Sequence, residues 1–138
     1  MKRSLQLIIF LFLASLYSCH QSGGQTLPDP FIIVLGTAQD GGYPHIGCSK
    51  DCCKLFYEGK EKKHLVSCVA IVDPVSKQRF LFDCTPDFPE QLHLLDSIFP
   101  SENLIDGIFL THAHIGHYTG LMYLGRESRN ASNIKVYA

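Results

Sequence analysis

The feature that most constrains the fold of this chain is an apolar segment that ends in a cluster of histidines. The segment "LIDGIFL" (104–110) is a continuous apolar run typical of a buried strand, and "THAHIGHYTG" follows it directly. Three of the chain's seven histidines, His112, His114 and His117, fall there. Residues two apart in an extended segment project to the same face, which brings His112 and His114 together. Because imidazole is a common zinc ligand, the spacing predicts a metal site, to which His117 turns back from the next helix.

The rest of the pattern alternates strands with helices, which predicts an α/β layered domain. Apolar β-branched runs mark the strands, and a 3.6-residue apolar period marks the longer helix. The two strands in the middle of the chain are separated only by "PVSK" and form a predicted hairpin. The predicted elements are strands at 31–38, 65–73, 78–84, 104–110 and 133–138, helices at 86–99 and 118–127, and a long loop at 39–53.

The N-terminus carries an export signal in place of a folded element. Lys2 and Arg3 precede an apolar stretch that has the length of a secretory h-region and is too short to span a bilayer. The stretch ends in "LYSC", which resembles the lipobox of bacterial lipoproteins, and this resemblance implies that Cys19 is acylated. An uncleaved anchor and ordinary secretion are the alternatives. We therefore expect a signal peptide at 1–18 and an exported protein held at a bacterial membrane by its lipid.

Length and composition indicate one globular domain after this leader. The segment 19–30 is rich in Gly, Ser and Pro and is expected to be a flexible tether, which places the domain at 31–138. The 138 residues are 46% hydrophobic and 18% charged, as in ordinary globular proteins. A net charge of −1 without a run of basic residues argues against nucleic acid as a stable partner.

The histidine cluster, "THAHIGHYTGL", resembles the H-x-H-x-D-H motif of the metallo-β-lactamase superfamily. The resemblance implies an αββα sandwich, of which this chain carries the N-terminal half. It also implies that His112 and His114 bind one zinc and that His117 belongs to a second site. The motif's aspartate is replaced by Gly116, which removes a carboxylate ligand. We expect His117 to be the secondary ligand for that reason, and Gly116→Asp to raise the second-metal stoichiometry if the rest of that site is present.

Two flanking segments resemble the same superfamily. "RFLFDCTPDFPEQLHLL" is similar to its second strand, which ends in an acidic residue, here Asp83. "VLGTAQDGGYPHIGC" is similar to the PqqB-like proteins of pyrroloquinoline quinone biosynthesis and their phosphodiesterase relatives. Those proteins carry a glycine-rich loop followed by cysteines that hold a structural zinc. We assign no role to Asp40, Asp87 and His93, which are interpreted as a loop residue, a solvent-facing acid and a helix-surface residue.

Five cysteines remain of the six when Cys19 is set aside, and an odd number cannot close as disulfides alone. Cys48, Cys52 and Cys53 lie close together in the predicted loop, and the resemblance implies that they hold a structural zinc with His45 or a later histidine. A disulfide or free thiols are the alternatives. Cys68 and Cys84 lie in apolar strands and are expected to be small core residues.

The resemblance implies metal-assisted hydrolysis of an ester, amide or phosphodiester bond in a small-molecule substrate. Zinc is the expected metal, with iron or manganese as alternatives, and no catalytic residue is assigned. A PqqB-like oxidative enzyme that uses iron and a degenerate domain that binds a metal or ligand without turnover are the rival hypotheses. Because the superfamily supplies further ligands from later strands, we expect the 138-residue chain alone to be an inactive fragment.

Overall fold

The computed structural model describes residues 28–138. The expectations for the signal peptide, for Cys19 and for all but the last three residues of the tether lie outside the described residues. Within residues 28–138, no helix is both long enough and apolar enough to cross a membrane.

The domain is built on one mixed sheet whose five strands lie in chain order. The first three strands pair antiparallel, and the last two add in parallel to the third. The first, third, fourth and fifth strands therefore run in the same direction, and their carboxyl ends lie at one edge of the sheet. The strands are β1 Phe31–Gly36, β2 Cys68–Asp73, β3 Gln78–Phe82, β4 Gly107–Phe109 and β5 Val136–Tyr137.

The predicted hairpin between β2 and β3 is confirmed, and Asp73 closes its turn. The Asp73 carboxylate accepts hydrogen bonds from the Val75 backbone at 2.9 Å and the Ser76 hydroxyl at 2.7 Å. Alternate residues of β2 are buried, beginning with Cys68. This period-two burial gives the sheet one covered face and one more exposed face.

Four helical segments join the strands: α1 Asp51–Tyr57, α2 Phe88–Ile98, α3 Ile115–Tyr118 and a 3₁₀ helix Thr119–Leu124. The predicted loop at 39–53 is therefore wrong from Asp51 onward, since the cysteine segment begins a helix there. The predicted short helix at 118–127 also begins earlier, at Ile115. A proline in the first turn of α2, where no intrahelical N–H is needed, and Pro100 after its last residue fit the observed helix ends.

Helix α2 covers the buried face of the sheet, and Phe88 and Leu95 are its buried apolar residues. The expectation that Cys68 and Cys84 are core residues is confirmed, since their exposed fractions are 3% and 0%. Burial raises the pKa of each thiol to about 12. The core consists of Leu35, Cys68, Ala70, Val72, Leu81, Cys84, Phe88, Leu95, Ile105 and Ile108.

Strand β4 is shorter than the apolar run that predicted it. The Leu104 carbonyl accepts a hydrogen bond from the buried Arg79 guanidinium at 2.8 Å instead of from a neighbouring strand. Ile105 is nevertheless buried in the core. The run therefore packs as expected, although only its last part joins the sheet. Together, the mixed sheet and its helices confirm the predicted α/β fold class.

Candidate metal centre

Three of the four strands that run in the same direction deliver polar side chains to a single edge of the sheet. Asp83 directly follows β3, Thr111 and the histidine motif follow β4, and Asp40 lies in the loop after β1. The Asp83 backbone N–H donates to the Phe109 carbonyl at 2.8 Å, which joins the ends of β3 and β4. The candidate site is therefore assembled by strand direction from segments that lie far apart in the sequence.

Four side chains form a continuous run of contacts at this edge. His112 Nε2 lies 3.0 Å from His114 Nδ1, which lies 3.3 Å from Asp40 Oδ2. Asp40 Oδ1 in turn lies 2.9 Å from His117 Nε2. Ligand atoms around a tetrahedral zinc, with bonds of about 2.0–2.1 Å, are separated by roughly 3.3 Å. Three of the four residues, Asp40, His112 and His117, offer ligand atoms that all lie within 4.8 Å of one another, which suits a divalent metal ion.

Asp83 holds His117 in place from the opposite side of the ring. Its carboxylate lies 2.7 Å from His117 Nδ1 and accepts hydrogen bonds from the backbone N–H and the hydroxyl of Thr111 at 2.8 and 2.9 Å. Its backbone has φ 71°, a conformation that aspartate adopts more readily than most residues. A carboxylate behind a metal-binding histidine fixes the ring and leaves the other nitrogen to face the ion.

Two carboxylates control the charge of His117. Burial of the ring opposes its protonation, but hydrogen bonds to Asp83 and Asp40 outweigh burial and raise the pKa of His117. The hydrogen bond with His117 lowers the pKa of Asp40 in return. Positive charge is therefore favoured at His117, between the two carboxylates.

The histidines differ in how firmly they are held. The side chain of His117 is 11% exposed and is fixed at both nitrogens, whereas that of His114 is 73% exposed at the rim. His112 Nδ1 lies 2.9 Å from the Thr111 hydroxyl, which directs Nε2 into the cluster. The sequence ranked His117 as the secondary ligand, but the structure makes it the most rigidly oriented of the three. Metal binding by these residues stays a prediction.

Asp40 is the residue that the sequence analysis missed. It joins His112 and His117 in a group whose ligand atoms all lie within 4.8 Å of one another. The sequence offered only an indirect signal for Asp40. Gly116 leaves the motif without its carboxylate, and Asp40 follows a strand that runs parallel to β4. The expectation that Gly116→Asp restores a ligand stays a prediction, and the structure leaves no room for that side chain unless Asp40 moves. A Cβ at position 116 would lie 2.5 Å from the Asp40 Cα.

The cysteine cluster lies at the start of α1. The sulfur atoms of Cys48, Cys52 and Cys53 form a second group within 4.8 Å of one another, and Cys48 Sγ lies 3.7 Å from Cys52 Sγ. All three thiols are free. His45 is not part of the group, and its Nδ1 lies 3.1 Å from the Ile46 carbonyl oxygen. The proximity suits a structural zinc, but a fourth ligand is not brought to it within residues 28–138.

Comparisons with known proteins agree with this architecture. The Beta-lactamase superfamily domain matches residues 78–138. Zn(2+)-bound PqqB from Methylobacterium extorquens superposes with a TM-score of 0.63 and 26% identity, over 78% of this chain and 36% of that one. A diphosphatase from the PhnP family superposes with a TM-score of 0.57 and 27% identity, over 79% of this chain and 41% of that one.

Curated proteins of two different names match parts of this chain. Coenzyme PQQ synthesis protein B of Methylorubrum populi is 29% identical over 99 residues, which are 67% of this chain and 33% of that protein. An octanoyltransferase of Porphyromonas gingivalis is 33% identical over 89 residues, which are 64% of this chain and 16% of that protein. The chain thus spans a third or less of the length of these two relatives. By its domain match, its relatives and its structural neighbours, the chain has a metallo-β-lactamase-type fold and resembles the PqqB-like branch of that superfamily.

Proposed function

We propose that this chain carries the metal site of a metal-dependent hydrolase that acts on a small ester or phosphodiester substrate. The observation that carries the proposal is the run of contacts from His112 through His114 and Asp40 to His117, at 2.9–3.3 Å. Similarity to a zinc-bound PqqB and to a diphosphatase of the PhnP family supports both the metal and the reaction class.

The chain's own residues would have two roles, since some would hold the metal ligands in place and others would leave a path for the substrate. Asp83 fixes the ring of His117, and Thr111 joins Asp83 to the histidine segment. His114 lies at the solvent-exposed rim, so a substrate would approach from that side. A bound divalent ion would supply Lewis-acid activation of water and of the scissile group. Imidazole and carboxylate donors of this kind suit zinc, and also iron or manganese.

The test compares metal content and turnover in the full-length protein. We expect about one zinc at this site and hydrolysis of bis(4-nitrophenyl) phosphate or 4-nitrophenyl acetate. His112→Ala should lose both, whereas His93→Ala, at an exposed position of α2, should keep both. A parent protein that binds no zinc, or a His112→Ala variant with unchanged metal content and rate, would contradict the proposal.

A PqqB-like oxidative enzyme is the second candidate, and the curated PqqB relatives are the observation that favours it. The same histidines and carboxylate would then hold iron. Iron that co-purifies at this site, together with oxygen uptake and no hydrolysis, would select this candidate. Metal without either activity would select a binding protein.

A further inference from the structure

We propose that Asp40 supplies the carboxylate metal ligand that the histidine motif lacks at Gly116. The acidic ligand then comes from the loop after β1 instead of from the motif itself. This inference rests on the proposed metal site and adds a ligand to it that the motif does not predict.

The first argument is steric. A Cβ at position 116 would lie 2.5, 2.7 and 2.8 Å from the Cα, Cβ and carbonyl oxygen of Asp40. Real Cβ atoms do not approach other atoms so closely, so any side chain at 116 would displace the Asp40 loop. A carboxylate at 116 and Asp40 at its observed position therefore exclude each other. Gly116 thus removes one carboxylate from the motif and leaves the space in which the Asp40 loop lies.

The second argument is that the Asp40 loop is held in place. The backbone N–H groups of Thr37 and Ala38 both donate to the Leu65 carbonyl at 2.9 Å. The Gly42 N–H donates to the Gln39 carbonyl at 2.8 Å, and the Gln39 side chain accepts from the Gly41 N–H at 2.9 Å. These contacts close a turn around Asp40. The carboxylate is therefore presented by an ordered segment, as a metal ligand must be.

The third argument concerns where the two oxygens of Asp40 point. One oxygen lies 2.9 Å from His117 Nε2 and the other 3.3 Å from His114 Nδ1. If Asp40 only oriented His117, it would duplicate Asp83, which already holds the opposite nitrogen at 2.7 Å. A metal-bound imidazole is neutral and keeps a single N–H, which Asp83 accepts at Nδ1 and which leaves Nε2 for the ion. Asp40 faces His117 Nε2, the nitrogen that remains to bind an ion, so the Asp40 carboxylate and this nitrogen can both contact the same ion.

Zinc and cobalt titrations of the full-length protein test the inference. Loss of a carboxylate that only orients a ligand costs roughly 10–100-fold in metal affinity, so Asp40→Ala should lose more than about 100-fold at this site. Gly116→Ala keeps every donor but displaces Asp40, and it should also weaken binding. Ile115→Ala, at the exposed neighbouring position, is the matched control and should bind as the parent does. Circular dichroism and thermal unfolding establish that each variant is folded.

Asp40→Cys gives a spectroscopic readout of direct contact. A cysteine ligand at position 40 should retain cobalt and add a thiolate-to-cobalt charge-transfer band in the difference spectrum against the parent. The native thiols are the same in both proteins and cancel. Val75→Cys, exposed in the hairpin turn, should add no band.

The outcomes separate the two proposals. A parent protein without a metal at this site would overturn both the proposed function and the inference. A parent that binds metal, with unchanged affinity in Asp40→Ala, would overturn the inference alone. Weaker binding in Asp40→Ala without the new band in a folded, metal-bound Asp40→Cys would make Asp40 a positioning residue, and that result also overturns the inference.

Discussion

His117 Nε2 lies 2.9 Å from Asp40 Oδ1, although 77 residues separate them in the chain. The pair joins the loop after the first strand to the helix after the fourth. On the other side of the ring, Asp83 holds His117 at 2.7 Å. His117 therefore connects the ends of three strands.

Asp83→Asn should lower metal affinity by roughly 10–100-fold without unfolding the protein, because it removes the charge that orients His117. Asparagine tolerates the observed φ of 71°, so the backbone should remain in place. Asp83→Ala should also destabilise the fold, by about 1–3 kcal/mol, since alanine is strained in that conformation. Calorimetric titration and thermal unfolding measure the two effects, with the exposed Asp29→Asn as control. Equal affinity in Asp83→Asn and the parent would contradict this role.

The pH dependence of stability should change sign when metal binds. Burial opposes protonation of His117, but Asp83 and Asp40 raise its folded-state pKa above the ordinary value of about 6.5. In metal-free protein this stabilisation is fully present below the unfolded pKa and is lost as pH rises through the folded pKa. An ion must displace the proton, so metal affinity and the stability it adds should rise over the same pH interval.

Thermal unfolding from pH 5.5 to 8.5, with and without zinc, measures both trends. His117→Gln should flatten the metal-free trend because it removes the titrating group. A metal-free parent whose stability has the same pH dependence as His117→Gln would contradict the prediction.

Thiol labelling should separate the cysteines into two classes. The hydrogen bond with Cys53 lowers the pKa of Cys48, whereas burial raises the pKa of Cys68 and Cys84 to about 12. Iodoacetamide at pH 8 should therefore modify Cys48 first and leave Cys68 and Cys84 unmodified until the protein unfolds. Mass spectrometry of the peptides gives the order.

The same labelling addresses the open alternatives for the cysteine cluster. If the cluster holds zinc, added zinc should slow labelling of Cys48, Cys52 and Cys53 together, and a chelator should restore it. A disulfide would appear instead as two thiols that react only after reduction. Rapid labelling of Cys84 in the folded protein would contradict the burial on which the classes depend.

The anchoring proposal depends on Cys19, which lies outside the described residues. Cys19→Ala should abolish acylation and shift the protein from the membrane fraction to the soluble fraction. Ser18→Ala keeps a small residue before the cysteine and should remain anchored. If Cys19→Ala stays membrane-bound after detergent-free washing, the protein is held in another way.

The strands, the hairpin and the histidine motif could be predicted because each depends on residues close in sequence. Period-two burial in β2 and the apolar run before Thr111 are local patterns. Asp40 could not be placed in the same way. Its role depends on strand direction and on the contact of its backbone with Gly116, both of which are tertiary. Helix α1 was missed because three glycines and a proline in residues 39–50 favour a loop, although Asp51 suits a first helical turn.

The central claim is that Asp40, His112 and His117 bind one metal ion at the carboxyl ends of β1, β3 and β4. Crystals of the full-length protein grown with zinc test it through anomalous diffraction at the zinc absorption edge. The account predicts a peak about 2.0–2.2 Å from an Asp40 oxygen and from the cluster nitrogens of His112 and His117, with one position left open on the side of His114. A zinc-saturated crystal with no peak there, or with a peak that the histidines bind while Asp40 points elsewhere, would contradict it.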